Sequence, residues 1–197
     1  MDIRLSPFDS PIKLLTLDTE TTGLDPEGGD EILTLGMVLD IEGEASPSTA
    51  HLRVRPELRT EWPSAQRVND ISPESVKGLK SFSSYRPAVQ LLIDRAEAVL
   101  GWNVGFDLAF LEKEGIRLRS GTEVIDAMEE FGRAFGSSPT GHFRWRLTDA
   151  VEMAGYRFDG RPHDALADAL ATREMHLVAS RALEADVSRD KVRPRHL

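Results

Sequence analysis

No cysteine occurs among the 197 residues. Disulfides, thiolate zinc sites and a cysteine nucleophile are thereby excluded, and any bound metal must be held by oxygen or imidazole ligands. No apolar stretch approaches the roughly 20 residues that a helix needs to cross a bilayer, and the opening MDIRLSPFDS lacks the apolar segment of a signal peptide. The expectation is a cytoplasmic protein without a membrane partner. Positive charge is also scarce. The 24 Lys and Arg against 33 Asp and Glu leave a net charge of −9, which argues against general coating of nucleic acid, although carboxylates that bind divalent metal would not count as free negative charge. Arginine outnumbers lysine 19 to 5, which fits phosphate recognition; a GC-rich genome gives the same bias. Repeats and low-complexity tracts are missing as well. What is present, 40% hydrophobic residues, suffices for one domain with a substantial core. That domain is expected over 1–186, with 187–197 as a frayed basic tail.

Three strand candidates come early. KLLTLD is short and Leu-rich, and EILTLGMVLD and AHLRVRP follow, separated by the polar IEGEASPST, which reads as an antiparallel connection. The pattern then changes. SYRPAVQLLIDRAEA has helical spacing at Val89, Leu92 and Ile93, AVLGWN reads as a strand, and NVGFDLAFLEKEG as a helix with Asn103 as N-cap and a stop at Gly115. TEVIDAM reads as another strand. From RLTDAVEMAGY onward the signal is helical, and HDALADALATREMHLVASRALEA is rich in good helix formers. Antiparallel strands followed by alternating helices and strands imply an α/β domain with a mixed sheet.

The candidate chemistry begins in LLTLDTETTGLDP. Residues two apart on a strand face the same way, so Asp18 and Glu20 project together where the strand ends. Two close anions repel unless a cation lies between them, and hard oxygen ligands select Mg²⁺ or Mn²⁺. A solvated turn at a strand end has the same D-x-E pattern. Asp107, in GWNVGFDLAFL, occupies the first turn of its helix, a place that the macrodipole favours for any acid. In PHDALADALAT, His163 precedes a helix, Asp164 is placed as its N-cap, and Asp168 lies one turn later. A lone loop histidine is commonly just solvated. The bland readings do not explain all three stretches in one chain and in this order.

The three stretches resemble the motifs of the DEDDh exonucleases, a family that includes the proofreading epsilon subunit of bacterial DNA polymerase III, ribonuclease T and oligoribonuclease. DTETTGLDP matches the first motif, NVGFDLAFL the second at Asn103, Phe106, Asp107 and Leu111, and HDALADALAT the third at His163, Asp164, Ala165, Asp168, Ala169 and Thr172. The resemblance spans roughly Lys13 to Ala171. It implies a ribonuclease H-like fold, with a mixed five-stranded sheet flanked by helices. It also implies that Asp18, Glu20, Asp107 and Asp168 hold two divalent metals, with His163 as general base. Thr21, Thr22, Gly23 and Leu24 would border the terminal nucleotide, and Asn69, Trp102, Asn103 and Phe106 complete the expected substrate surface. Two positions depart from the family pattern: Trp102-Asn103 stands where His-Asn is usual, and Asn69 where a histidine is common.

The implied activity is metal-dependent 3′ to 5′ hydrolysis at single-stranded 3′ ends, DNA favoured, releasing nucleoside 5′-monophosphates. Two metals can activate water and brace the departing oxygen, and a histidine with an ordinary pKa of about 6.5 suits the proton transfer. Trimming of RNA, a ribonuclease H-type endonuclease and a non-catalytic polymerase accessory module are the competing readings. The expected partner is the 3′ end of single-stranded nucleic acid; association with a polymerase is left open, and the short tail favours a free-standing enzyme. GRAFGSSPTGHFRWRL interleaves Arg133, His142, Arg144 and Arg146 with Phe143 and Trp145, a mixture suited either to phosphate contact and base stacking or to a solvated loop.

Overall fold

The computed structural model describes residues 10–139, 141, 144–157 and 160–192. Its strands are Ile12–Thr21 (β1), Ile32–Ile41 (β2), Ser48–Arg53 (β3), Ala96–Gly101 (β4) and Glu123–Asp126 (β5). The helices are Pro63–Asn69 (α1), Pro73–Val76 (α2), Arg86–Arg95 (α3), Gly105–Lys113 (α4), Ala127–Phe135 (α5), Leu147–Met153 (α6) and Ala165–Val192 (α7). One mixed sheet of order β3-β2-β1-β4-β5 results. β1 and β3 run antiparallel to β2, whereas β4 is parallel to β1, and β5 to β4. The mixed five-stranded sheet flanked by helices is thus as the sequence led us to expect.

Both faces of the sheet are covered, so β2 is buried along almost its whole length rather than in alternate positions. Leu15, Leu17, Leu35 and Met37 belong to the main core, with Val89 and Ile93 from α3 and Phe110 and Leu111 from α4. A second core, formed by Phe131, Trp145, Val151, Ala171 and Met175, joins α5, α6 and α7. Helix α7 approaches closely because its buried positions include Ala165, Ala167, Ala169, Ala171 and Ala179. Gly36 of β2, the register partner of Asp18, continues that closeness: a Cβ there would lie 2.2 Å from the Ala165 carbonyl oxygen.

Helix α4 stops as expected. Gly115 takes φ 83°, Gly115 N–H donates to Glu112 O and Ile116 N–H to Leu111 O (both 2.9 Å), and Ile116 packs in the same core as Leu111. Its start differs from expectation. Val104 is the N-cap, without a side-chain cap bond, because the Asn103 side chain is engaged elsewhere. TEVIDAM is also only partly a strand: β5 ends at Asp126, whose carboxylate accepts from Met128 N–H and Glu129 N–H and so starts α5. Helix α7 continues to Val192, past the boundary placed at 187, and residues 193–197 lie outside the described residues.

β1, β4 and β5 are parallel, so their carboxyl ends share one edge of the sheet. β1 pairs with β4 only as far as Thr16 and then runs on to Thr21. The uncovered end of β1 is where the acidic residues gather.

Candidate active site

Register and strand alternation put Asp18 and Glu20 on the sheet face that meets the first turn of α7. Thr19, between them, points the other way. Beyond the end of β4 its backbone N–H has no ladder partner on that side, and it donates instead to Asp107 Oδ1 at 2.8 Å, while Thr19 Oγ1 donates to the same oxygen at 2.7 Å. One strand therefore presents two carboxylates and fixes a third. Asp168 comes from the first turn of α7. Asp164 N-caps that helix through Ala167 N–H (3.1 Å), and Asp168 Oδ2 accepts from His163 N–H at 3.0 Å. His163 has φ 63°, a left-handed conformation that costs a non-glycine residue free energy; the bond to Asp168 holds it there. Arg161 ties the same loop to the end of α1, donating to Asp70 Oδ2 (3.0 Å) and Asn69 O (3.1 Å).

Ligating atoms of Glu20, His163 and Asp168 lie within 4.8 Å of one another, and Asp18 and Asp107 open into the same cleft of about 710 Å³. Close packing of acids disfavours their ionised forms. Burial, then the charge of Asp168, pushes Glu20 up to about 8, against a hydrogen bond from Asn69. Burial pushes Asp107 up to about 7 despite its bonds from Thr19. Asp168 is pushed up to about 6 by burial, with the His163 N–H opposing and Asp164 adding. Desolvation, then Asp107, Asp168 and Glu20 in turn, holds Asp18 well above the usual carboxylate range. Asp168 Oδ1 is buried and accepts no hydrogen bond. An orphaned oxygen of this kind costs on the order of 1–3 kcal/mol or more. Oxygen donors, crowded negative charge and an unused acceptor together fit a hard divalent cation, and Asp18, Glu20, Asp107 and Asp168 could hold it.

The chain matches the RNase_T exonuclease family over residues 15–175. It belongs to that family. Among curated relatives, DNA polymerase III subunit epsilon of Rickettsia felis is 30% identical over 53% of this chain and 45% of that protein. The same subunit of Pasteurella multocida is 25% identical over 84% and 60%. The 3′-5′ exonuclease DinG of Bacillus subtilis is 29% identical over 81% of this chain and 17% of its own length. The chain thus spans about half the length of the polymerase subunits it matches. Two solved structures share the fold: exonuclease X in complex with 5′ overhanging duplex DNA (TM-score 0.62, 20% identity, 85% of this chain and 89% of that one) and a full-length 3′-exonuclease (TM-score 0.64, 22%, 90% and 62%). The fold is ribonuclease H-like.

In this family member the remaining sequence candidates all line the cleft, but they differ in what they do there. Leu24 is 83% exposed, and Phe106 is half-buried with its ring 5.0 Å from Phe110; both offer apolar surface. Thr21 Oγ1 donates to Gly23 O. Thr22 Oγ1 donates to Asp30 and accepts from Glu31 N–H. Gly23 makes room for the Asp30 carboxylate, which a Cβ would meet at 2.1 Å. These residues shape the turn after β1. Asn69 is 2% exposed; its amide donates to Thr21 O and its oxygen accepts from Ile71 N–H, so it braces the strand end. Trp102 donates through Nε1 to Trp145 O and packs on Phe131.

In the basic-aromatic stretch, Trp145 is buried against Phe131 with Nε1 donating to Gly136 O, so it is not presented for base stacking. Arg133 lies on α5, Arg144 and Arg146 line the cleft, and His142 and Phe143 lie outside the described residues. Sequence reasoning missed Thr19, Asp126 and Arg161. Only Asp126 carried a signal, a D-x-x-E spacing to Glu129 of the kind that opens helices.

Proposed function

We propose that the protein is a DEDDh-type, two-metal 3′ to 5′ exonuclease that removes nucleoside 5′-monophosphates from single-stranded ends, DNA favoured. The observation that carries this reading is the convergence of four carboxylates on one cleft, with an unpartnered buried oxygen on Asp168 and a histidine beside them. Asp18, Glu20, Asp107 and Asp168 would hold divalent metal, which would supply activated water and stabilise the departing oxygen. His163 is exposed at the rim and accepts the proton of the attacking water on a ring nitrogen, while its backbone N–H stays on Asp168. Asp107 is oriented by Thr19 before any ligand arrives. Leu24, Val68 and Phe106 offer apolar surface to the base and sugar of the last nucleotide. The free-standing form is the reading we favour, and association with a polymerase, for which the names of the polymerase III subunits speak, is the alternative.

The test is digestion of 5′-labelled single-stranded DNA, RNA, duplex and circular single-stranded DNA in Mn²⁺, with Asp18→Asn as control. The expected result is a shortening ladder on linear single strands with intact circles and an inert variant. Cleavage of circles would make it an endonuclease; preference for RNA would make it an RNA-trimming enzyme; wild-type inertness would make it a non-catalytic module.

A further inference from the structure

The cleft floor is acidic, yet one wall carries two cations. Arg144 and Arg146 flank Trp145, whose inward ring and two hydrogen bonds, Nε1 to Gly136 O and Trp102 Nε1 to its own carbonyl, fix the backbone between them. Alternation about that fixed point leaves both guanidinium groups exposed and facing the cleft. The arginine ion pairs among the described residues belong to Arg59, Arg86, Arg161 and Arg173. Arg144 instead donates from Nη2 to a neutral acceptor, Asn103 Oδ1, at 2.7 Å. Asn103 is itself held: it has φ 62°, and its N–H donates to Asp126 Oδ1 at 3.1 Å. The chain Asp126, Asn103, Arg144 aims a guanidinium without neutralising it. A cation held in this way suits an anion brought by a ligand.

The geometry of 3′ to 5′ cleavage says which anion. At a free 3′-hydroxyl end the last nucleotide carries only the scissile phosphate, so every other phosphate lies on its 5′ side. Resting on the exonuclease reading, we infer that Arg144, aimed by Asn103 and assisted by Arg146, is a specificity residue that grips the first phosphate 5′ of the scissile bond and selects strands of at least three nucleotides over dinucleotides. Arg144 touches substrate; Asn103 acts through Arg144 and is a positioning residue.

Thymidine oligomers TpT, which has only the scissile phosphate, and TpTpT, which has one more, separate the possibilities. For Arg144→Ala the ratio of kcat/KM for TpTpT over TpT should fall about 5- to 20-fold, the range of one partly solvated charge-assisted hydrogen bond, through KM rather than kcat. Asn103→Ala should lower the same ratio less, and the double variant should match Arg144→Ala alone. Arg144→Lys should restore part of it. An unchanged ratio, whether because both substrates suffer equally or because neither does, overturns the assignment, and additive losses in the double variant overturn the role of Asn103. If the wild type hydrolyses neither oligomer in Mn²⁺, digestion of the long 5′-labelled strand decides the exonuclease reading by itself, and Kd values for the two oligomers in Ca²⁺, by fluorescence anisotropy, decide whether Arg144 distinguishes them.

Discussion

The two walls of the cleft are built on different principles. On one side, Asp18 and Glu20 lie on the central strand and Asp107 is locked to Thr19 by two bonds to one oxygen, on elements whose other residues build the main core. On the other, His163, Arg144 and Arg146 are exposed and lie outside the strands, His163 held by its backbone N–H on Asp168 and the two arginines by the buried Trp145 between them. On the proposed function, the groups that would hold a small cation at fixed distances ride on the rigid element, and those that would meet a flexible chain or move a proton ride on segments that can adjust.

The comparison breaks most visibly if the rigid wall loses charge. Asp18→Asn, Glu20→Gln, Asp107→Asn and Asp168→Asn are each expected to remove nearly all turnover, at least about 10³-fold, while far-UV circular dichroism stays that of the wild type. Two such variants with wild-type rates in Mg²⁺ would show that the carboxylates are not a single unit. Next in size is His163→Ala, expected to lose about 10²- to 10⁴-fold, with a residual rate that rises with pH where the wild type flattens. Identical pH-rate profiles would take the proton-accepting role away from the loop wall.

A third test sharpens the contrast without any substitution. Glu20, Asp107 and Asp168 have folded pKa values raised to about 8, 7 and 6, so each contributes stability that is fully present below its unfolded pKa and is lost as pH rises through the folded value. In EDTA the urea midpoint should therefore fall between about pH 4 and pH 8, and saturating Mn²⁺ should flatten that fall. A metal-free midpoint that rises over this range would mean that the acids are not strained. The smallest effect belongs to the loop wall. With few cations in contact, binding to single strands in Ca²⁺ should show a slope of log K on log salt between roughly −1 and −3, and removing both Arg144 and Arg146 should reduce its magnitude by about one. A wild-type slope steeper than about −5 would reveal a longer basic track.

The same contrast explains what could be read from the residues alone. β1, β2 and α7 were legible because each buries a regular pattern over many residues, and Asp164 because capping is local chemistry. α1 and α2 were not. They are 7 and 4 residues long and are held by tertiary contacts, with Trp62 Nε1 donating to Ile71 O and Leu33, Trp62, Ile71 and Val76 forming a cluster of their own. The acids of the site were legible through motif and spacing. The bracing roles of Thr19, Asn69 and Asn103 depend on where one strand stops beside another, and no local pattern records that.

Gly36 has no functional group, yet it governs tolerance at the acidic centre proposed to hold metal. Any side chain there must push the Ala165 backbone from 2.2 Å to the 3.4 Å of ordinary contact. Because α7 is anchored farther along by Ala171, Met175 and Ala179, the push would tilt the helix about that anchorage, with the largest displacement at the turn that carries Asp168. Ligand distances at a divalent ion are held to about 0.2 Å. The clearance beneath one glycine is thus several times coarser than the precision it protects, which makes the thickness of this single contact a calibration of the whole centre.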